Sequence, residues 1–120
     1  MMKKIMIVED SNLMTAVITN FVKKEGDYDI ITAKNGEESV TKYKEQKPDL
    51  VFMDIKMPGM DGLAALEIIR KMDQSAKVVM CTALKEAEQE DRAKKLGAKG
   101  YIKKPFSRED IVKALKDNLR

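Results

Sequence analysis

Four short, mainly apolar runs punctuate the chain, at Ile5 to Val8, Tyr28 to Ala33, Leu50 to Met53 and Val78 to Cys81, with a weaker fifth at Tyr101-Ile102. Their shortness and β-branched content predict strands. The segments between them carry helical spacing. Leu13, Met14, Val17, Ile18, Phe21 and Val22 form one apolar stripe that stops at Gly26. Leu63, Leu66, Ile69 and Met72 form another, and Ile111, Val112, Leu115 and Leu119 a third. Asn35 to Gln46, ending before Pro48, predicts a moderately apolar helix, whereas Ala87 to Leu96 carries Glu88, Glu90, Asp91, Lys94 and Lys95 and predicts a largely exposed one. The order is strand then helix throughout, and strands joined by helices can pair only in parallel, with the crossover helices on both faces. The expected fold is therefore α/β, a doubly wound five-stranded parallel sheet. One domain spanning 1–120 is expected, with no output domain after the last helix.

Composition narrows the chemistry. Histidine is absent, which removes imidazole metal ligands, Ser-His nucleophile pairs and a histidine pH switch together. The single Cys81 has no partner for an internal disulfide, and its setting, Val78-Val79-Met80-Cys81, predicts a buried core thiol. No apolar run approaches the roughly 20 residues that span a bilayer, and Glu9-Asp10 interrupts the N-terminal run too early for a signal peptide. A cytoplasmic protein without membrane insertion is expected. A net charge of +3 against 36% charged residues gives a mixed, solvated surface that argues against nucleic-acid binding. The excess is uneven, since Lys99 to Arg120 holds seven Lys/Arg against three Asp/Glu. That stretch is either a solvated basic face or a docking surface for an acidic partner.

Ligands of an open parallel sheet gather at the carboxyl ends of its strands. Glu9 and Asp10 follow the first apolar run and Asp54 the third. Acids are common where a chain leaves its core, but three converging carboxylates repel one another and call for a cation. Oxygen ligands without His or Cys favour Mg²⁺, with Mn²⁺ as the substitute. Thr82 and Lys104 end the fourth and fifth runs and supply a hydroxyl and an ammonium. An anion fits between them, and a phosphoryl group on Asp54 is the anion this set predicts. Pro105 makes the Lys104-Pro105 bond a cis-peptide candidate that would aim the ammonium into the cleft. Met57-Pro58-Gly59-Met60-Asp61-Gly62 predicts a tight loop opening the next helix near Asp61.

With these residues in place the chain resembles the receiver domain of two-component response regulators over essentially its whole length, and in particular the stand-alone, CheY-like chemotaxis type. Asp54-Ile55-Lys56-Met57-Pro58-Gly59-Met60-Asp61-Gly62 is the specific signature. The resemblance implies a flavodoxin-like (βα)5 fold with strand order 2-1-3-4-5. It implies Asp54 as phosphoacceptor, a metal site of Glu9, Asp10, Asp54 and the Lys56 backbone carbonyl, and Lys104 as the phosphoryl-stabilising lysine. Thr82 is implied as the switch hydroxyl and Tyr101 as the switch aromatic that turns inward on phosphorylation. The implied donor is a CheA-like sensor histidine kinase, and the implied target a motor-switch or adaptor protein met by the fourth helix, fifth strand and fifth helix, where Lys99, Lys103, Lys113 and Lys116 are the candidate contacts. A monomer is expected. So is a signalling domain that catalyses its own phosphorylation and dephosphorylation without being an enzyme in the ordinary sense. Lys56 and Leu84 replace the amide and the acid of the best-known chemotaxis member and are expected to tune dephosphorylation.

Other classes fit less well. A phosphohydrolase with an aspartate nucleophile needs a second acid two residues on, and Lys56 stands there. Nucleotide binding lacks a glycine-rich loop after the first strand, where Glu9-Asp10-Ser11-Asn12 stands instead. A phosphorelay intermediate, or a receiver-like module that binds partners without phosphorylation, is the alternative function.

Overall fold

The computed structural model describes residues 2–119. The first three helices begin where a polar side chain replaces a missing backbone partner, whereas the fourth starts after Glu86 without a side-chain cap. Ser11 accepts from the Met14 N–H and opens α1, Asn12–Glu25, after the first strand β1, Lys4–Val8. Strand β2, Asp29–Ala33, leads to Asn35, which accepts from the Glu38 N–H at 2.8 Å and caps α2, Gly36–Gln46. Lys47, at φ 44°, turns the chain out of α2 ahead of Pro48. Strand β3, Leu50–Met53, is followed by the loop to Asp61, which accepts from the Ala64 N–H and caps α3, Gly62–Met72. Then come β4, Val78–Thr82, α4, Ala87–Lys95, β5, Gly100–Lys103, and α5, Arg108–Leu119.

The five strands form one parallel sheet in the order β2-β1-β3-β4-β5, as the sequence and its resemblance imply. Alternate strand residues point to opposite faces, and each face has its own core. Met6, Val8, Val51 and Met53 pack with Tyr43, Leu66, Ile69 and Ala93, so α2, α3 and α4 cover one side. Ile5, Ile7, Phe52 and Cys81 pack with Ile18, Val22, Ile111 and Leu115, so α1 and α5 cover the other. The three central strands are buried along nearly their whole length, whereas the edge strands β2 and β5 are half-exposed. That explains why the fifth apolar run is so short in the sequence. Helix α4 buries only Ala93 and is the exposed helix its charges predict.

Cys81 is 2% exposed, and burial pushes its thiol up to about 12. At pH 8 the thiol is therefore neutral and unreactive. Alkylation by iodoacetamide, followed by intact mass, is expected to be absent in the native protein and complete in denaturing urea. Rapid native labelling would contradict the packing of β4 described here.

Candidate functional site

Because β1 and β3 are neighbours at the centre of the sheet, the acids that follow them emerge side by side. Glu9 continues β1, with its N–H donating to the Ala33 carbonyl at 3.0 Å, and Asp54 continues β3, with its N–H donating to the Val8 carbonyl at 3.0 Å. One oxygen of each of Glu9, Asp10 and Asp54 lies within 4.8 Å of the others. Glu9 and Asp54 are buried, and Asp10 is exposed at the mouth. Three acids this close, two of them withdrawn from water, are held only by positive charge.

Lys104 supplies part of that charge. Its Nζ reaches Glu9 Oε1 and lies 3.2 Å from Asp54 Oδ2, with only 15% of the side chain exposed. The Lys104-Pro105 peptide is cis, and Phe106 beyond it meets Phe21 of α1 edge-to-face at 6.2 Å. This anchors the turn that carries the ammonium. Burial works to lower the Lys104 value, but the bond to Glu9 and the charges of Asp54 and Glu9 outweigh it and hold the ammonium above the ordinary lysine range. Burial, helped by the Asp54 charge, pushes Glu9 up, against the bonds it accepts from Lys104 and from the Ser11 N–H.

Asp54 Oδ1 is left over. It is buried and accepts no hydrogen bond, the one side-chain oxygen or nitrogen in that condition among the described residues. A buried acceptor without a partner is costly, and a ligand arriving at the strand ends relieves it. The donors fit a divalent cation such as Mg²⁺, since they are all carboxylate oxygens. Glu9, Asp10 and Asp54 would hold it.

Thr82 is fully buried at the end of β4. Its Oγ1 accepts from the Leu84 N–H at 3.3 Å, and the Leu84 carbonyl accepts from Tyr101 Oη at 2.7 Å. The backbone of Leu84 thus joins the hydroxyl to the aromatic ring, a link that sequence cannot reveal. The Tyr101 ring is half-buried against the α2–α4 side of the core, with Leu84 packed on the same cluster. Lys56 is exposed on the loop after Asp54.

The four candidate docking lysines separate. Lys99, Lys103 and Lys113 line a groove of about 470 Å³ between α4, β5 and α5, together with Tyr101, Glu90 and Asp117. Lys116 does not line it and faces a second hollow with Glu25 and Arg108, a hollow that Lys113 and Asp117 also line. Lys103 pairs with Glu90 at 3.4 Å and Lys113 with Asp117 at 2.6 Å, and with Asp110 also lining it the groove balances three lysines against three acids and carries no basic excess.

Comparison with known proteins agrees with this geometry. The family model "Response regulator receiver domain" matches residues 5–116. The chain is 46% identical to the chemotaxis protein CheY of Listeria monocytogenes over 115 residues, covering 95% of this chain and 96% of that protein. It is 34% identical to sporulation initiation phosphotransferase F of Bacillus subtilis, covering 99% and 95%. Among solved structures it is similar to the CheX-CheY-BeF3-Mg complex of Borrelia burgdorferi, with TM-score 0.92 and 35% identity, covering 96% of this chain and 87% of that one.

Proposed function

Because this chain belongs to the response regulator receiver family, a family of phosphoacceptor signalling switches, we propose that Asp54 is its phosphoacceptor and that its output is CheY-like control of a motility apparatus. The observation that carries the reading is Asp54 Oδ1, a buried carboxylate oxygen without a partner while Oδ2 is occupied by Lys104. That oxygen is free to act as the nucleophile.

Oδ1 attacks the phosphorus of a phosphohistidine on a CheA-like sensor kinase. An O–P bond forms as the N–P bond breaks, and the departing imidazole takes up a proton. Lys104 pairs with the phosphoryl oxygens as they accumulate near Asp54. Thr82, whose oxygen already accepts from Leu84, keeps its own proton to donate to the phosphoryl group. Glu9, Asp10, Asp54 and the Lys56 carbonyl would hold Mg²⁺, which when bound would neutralise the clustered carboxylates and screen the incoming phosphate. Water later attacks phosphorus, releasing phosphate and restoring the carboxylate, and Lys56 and Leu84 flank that approach.

The output follows from the Leu84 link. Drawing Thr82 toward the phosphoryl group shifts the Leu84 backbone, and with it Tyr101 and the α4–β5–α5 face. Lys99, Lys103 and Lys113 on that face are the proposed contacts of a motor-switch or adaptor protein. No described helix is long and apolar enough to cross a membrane, and a cytoplasmic, monomeric domain fits the reading.

Incubation with acetyl phosphate, read by intact mass, tests it. An adduct of one phosphoryl group is expected in Mg²⁺ and its loss in excess EDTA. Absence of any adduct in saturating Mg²⁺ would overturn the phosphoacceptor reading.

A further inference from the structure

The junction between β2 and α2 touches both the loop that leads from the Glu9-Asp10 pair and the loop that carries the Lys56 carbonyl. On one side the Lys34 ammonium bonds Asn12 Oδ1, at the start of α1 directly after Asp10-Ser11. On the other, Glu37 in the first turn of α2 accepts from the Met60 N–H at 3.1 Å through Oε1. The carboxylate of Glu37 also closes over Gly59, where a Cβ would lie 3.0 Å from Oε2, and Gly59 itself is at φ 74°. Next to it Gly36 is buried against Met60, with the space of a Cβ only 2.5 Å from the Met60 carbonyl oxygen. The neighbouring Glu38 is committed elsewhere, since it accepts from the Lys34 N–H at 2.7 Å in the helix cap. Two adjacent glutamates therefore divide their work, one closing the local cap and the other reaching across to a loop 23 residues away.

We propose that Glu37 is a positioning residue for the divalent-metal site. By fixing Met60 and Gly59 it holds the short loop from Lys56 to Asp61, and so the orientation of the Lys56 carbonyl relative to Glu9, Asp10 and Asp54. The loop is tied at its inner end by the Gly62 N–H, which donates to the Ile55 carbonyl at 2.8 Å. Glu37 supplies an outer polar tie, which adds a directed hydrogen bond to the packing of Ile55, Met57 and Met60 on the core. Groups that orient ligands without touching a metal change its affinity by about tenfold or more, and a single exposed bond belongs at or below the low end of that range.

The inference rests on the reading of the acid cluster as a cation site, and two variants separate the two ideas. Mg²⁺ is titrated by calorimetry into wild type, Glu37→Ala and Glu37→Gln, with the Mg²⁺ dependence of phosphorylation by acetyl phosphate as the second readout. Glutamine keeps an acceptor for the Met60 N–H but loses the charge, so it is expected to bind within about twofold of wild type. Alanine is expected to bind about five- to tenfold more weakly, requiring more Mg²⁺ for half-maximal phosphorylation while reaching the same rate at saturation. Equal affinity in Glu37→Ala and wild type overturns the inference, and so does a Glu37→Gln variant as weak as Glu37→Ala, which would leave only a charge effect. Failure of wild type to bind Mg²⁺ overturns the reading of the site itself.

Discussion

Asp54→Asn is expected to abolish phosphoryl uptake from acetyl phosphate in saturating Mg²⁺ while leaving the chain folded. The amide is nearly the shape of the carboxylate, so the buried site at the end of β3 keeps its packing. It cannot, however, form the acyl phosphate, because its oxygen carries no full negative charge and its nitrogen is no nucleophile. Two opposing effects set the stability. The ion pair between Lys104 and Asp54 at 3.2 Å is lost, yet Lys104 retains Glu9. At the same time the repulsion between Asp54 and the buried Glu9, which helps to push Glu9 upward after burial itself, is removed. The net change is expected to stay within about 1 kcal/mol, since the remaining buried charges are still paired. Intact mass gives the first result and a urea unfolding curve the second. A full adduct in the variant would move the phosphoacceptor elsewhere, and a loss well beyond about 1 kcal/mol would mean that the Lys104–Asp54 pair stabilises the fold far more than this balance allows.

The sheet and the acids were readable in the sequence for one physical reason. Central parallel strands are buried on both faces, so they stand out as apolar runs, and the side chains that follow them must suddenly meet the polar cleft. Glu9, Asp54 and Thr82 mark that change at three strand ends. Boundaries were less legible where backbone pairing decides them. Lys4 belongs to β1 because its N–H and carbonyl are both paired with Asp49, not because its side chain is apolar. The edge strand β5 gave a weak signal because half of its surface is wet. Lys116 shares a helix with Lys113 but not a face with the groove, a distinction of helical phase that a count of charges over the last 22 residues cannot make. Least legible were the contacts that tie loops together, such as the Leu84 backbone between Thr82 and Tyr101, or Glu37 against Met60. Nothing in the local pattern of an exposed glutamate or a leucine specifies such a partner.

Gly62→Ala is expected to damage both fold and site, and the cause lies in which atoms the new methyl would meet. A Cβ at Gly62 would sit 1.9 Å from the backbone carbonyl oxygen of Asp54, 2.8 Å from its carbonyl carbon and 2.9 Å from the Ile55 Cα. These are main-chain atoms at the end of the central strand β3, so they cannot swing aside as a flexible side chain would. Relief requires the start of α3 to move away from the sheet. That movement stretches the bond from the Gly62 N–H to the Ile55 carbonyl and draws Leu63, Ala65 and Leu66 out of a core in which each is at most 1% exposed. Overpacking of this kind costs about 3 kcal/mol or more, at the upper end of its usual range, which is a large share of the stability of a domain of this size. Phosphorylation is expected to fall with it, even under conditions where the variant remains folded, because moving the start of α3 drags the loop that runs from Asp54 through Lys56 to Gly62. Gly100→Ala is the control, since its Cβ would meet Val79 at an ordinary 3.5 Å and its expected cost is below about 1 kcal/mol. Urea midpoints of the two variants decide the matter. If Gly62→Ala unfolded within about 1 kcal/mol of wild type and took up phosphate normally, the close approach of α3 to Asp54 could not be what positions the acceptor.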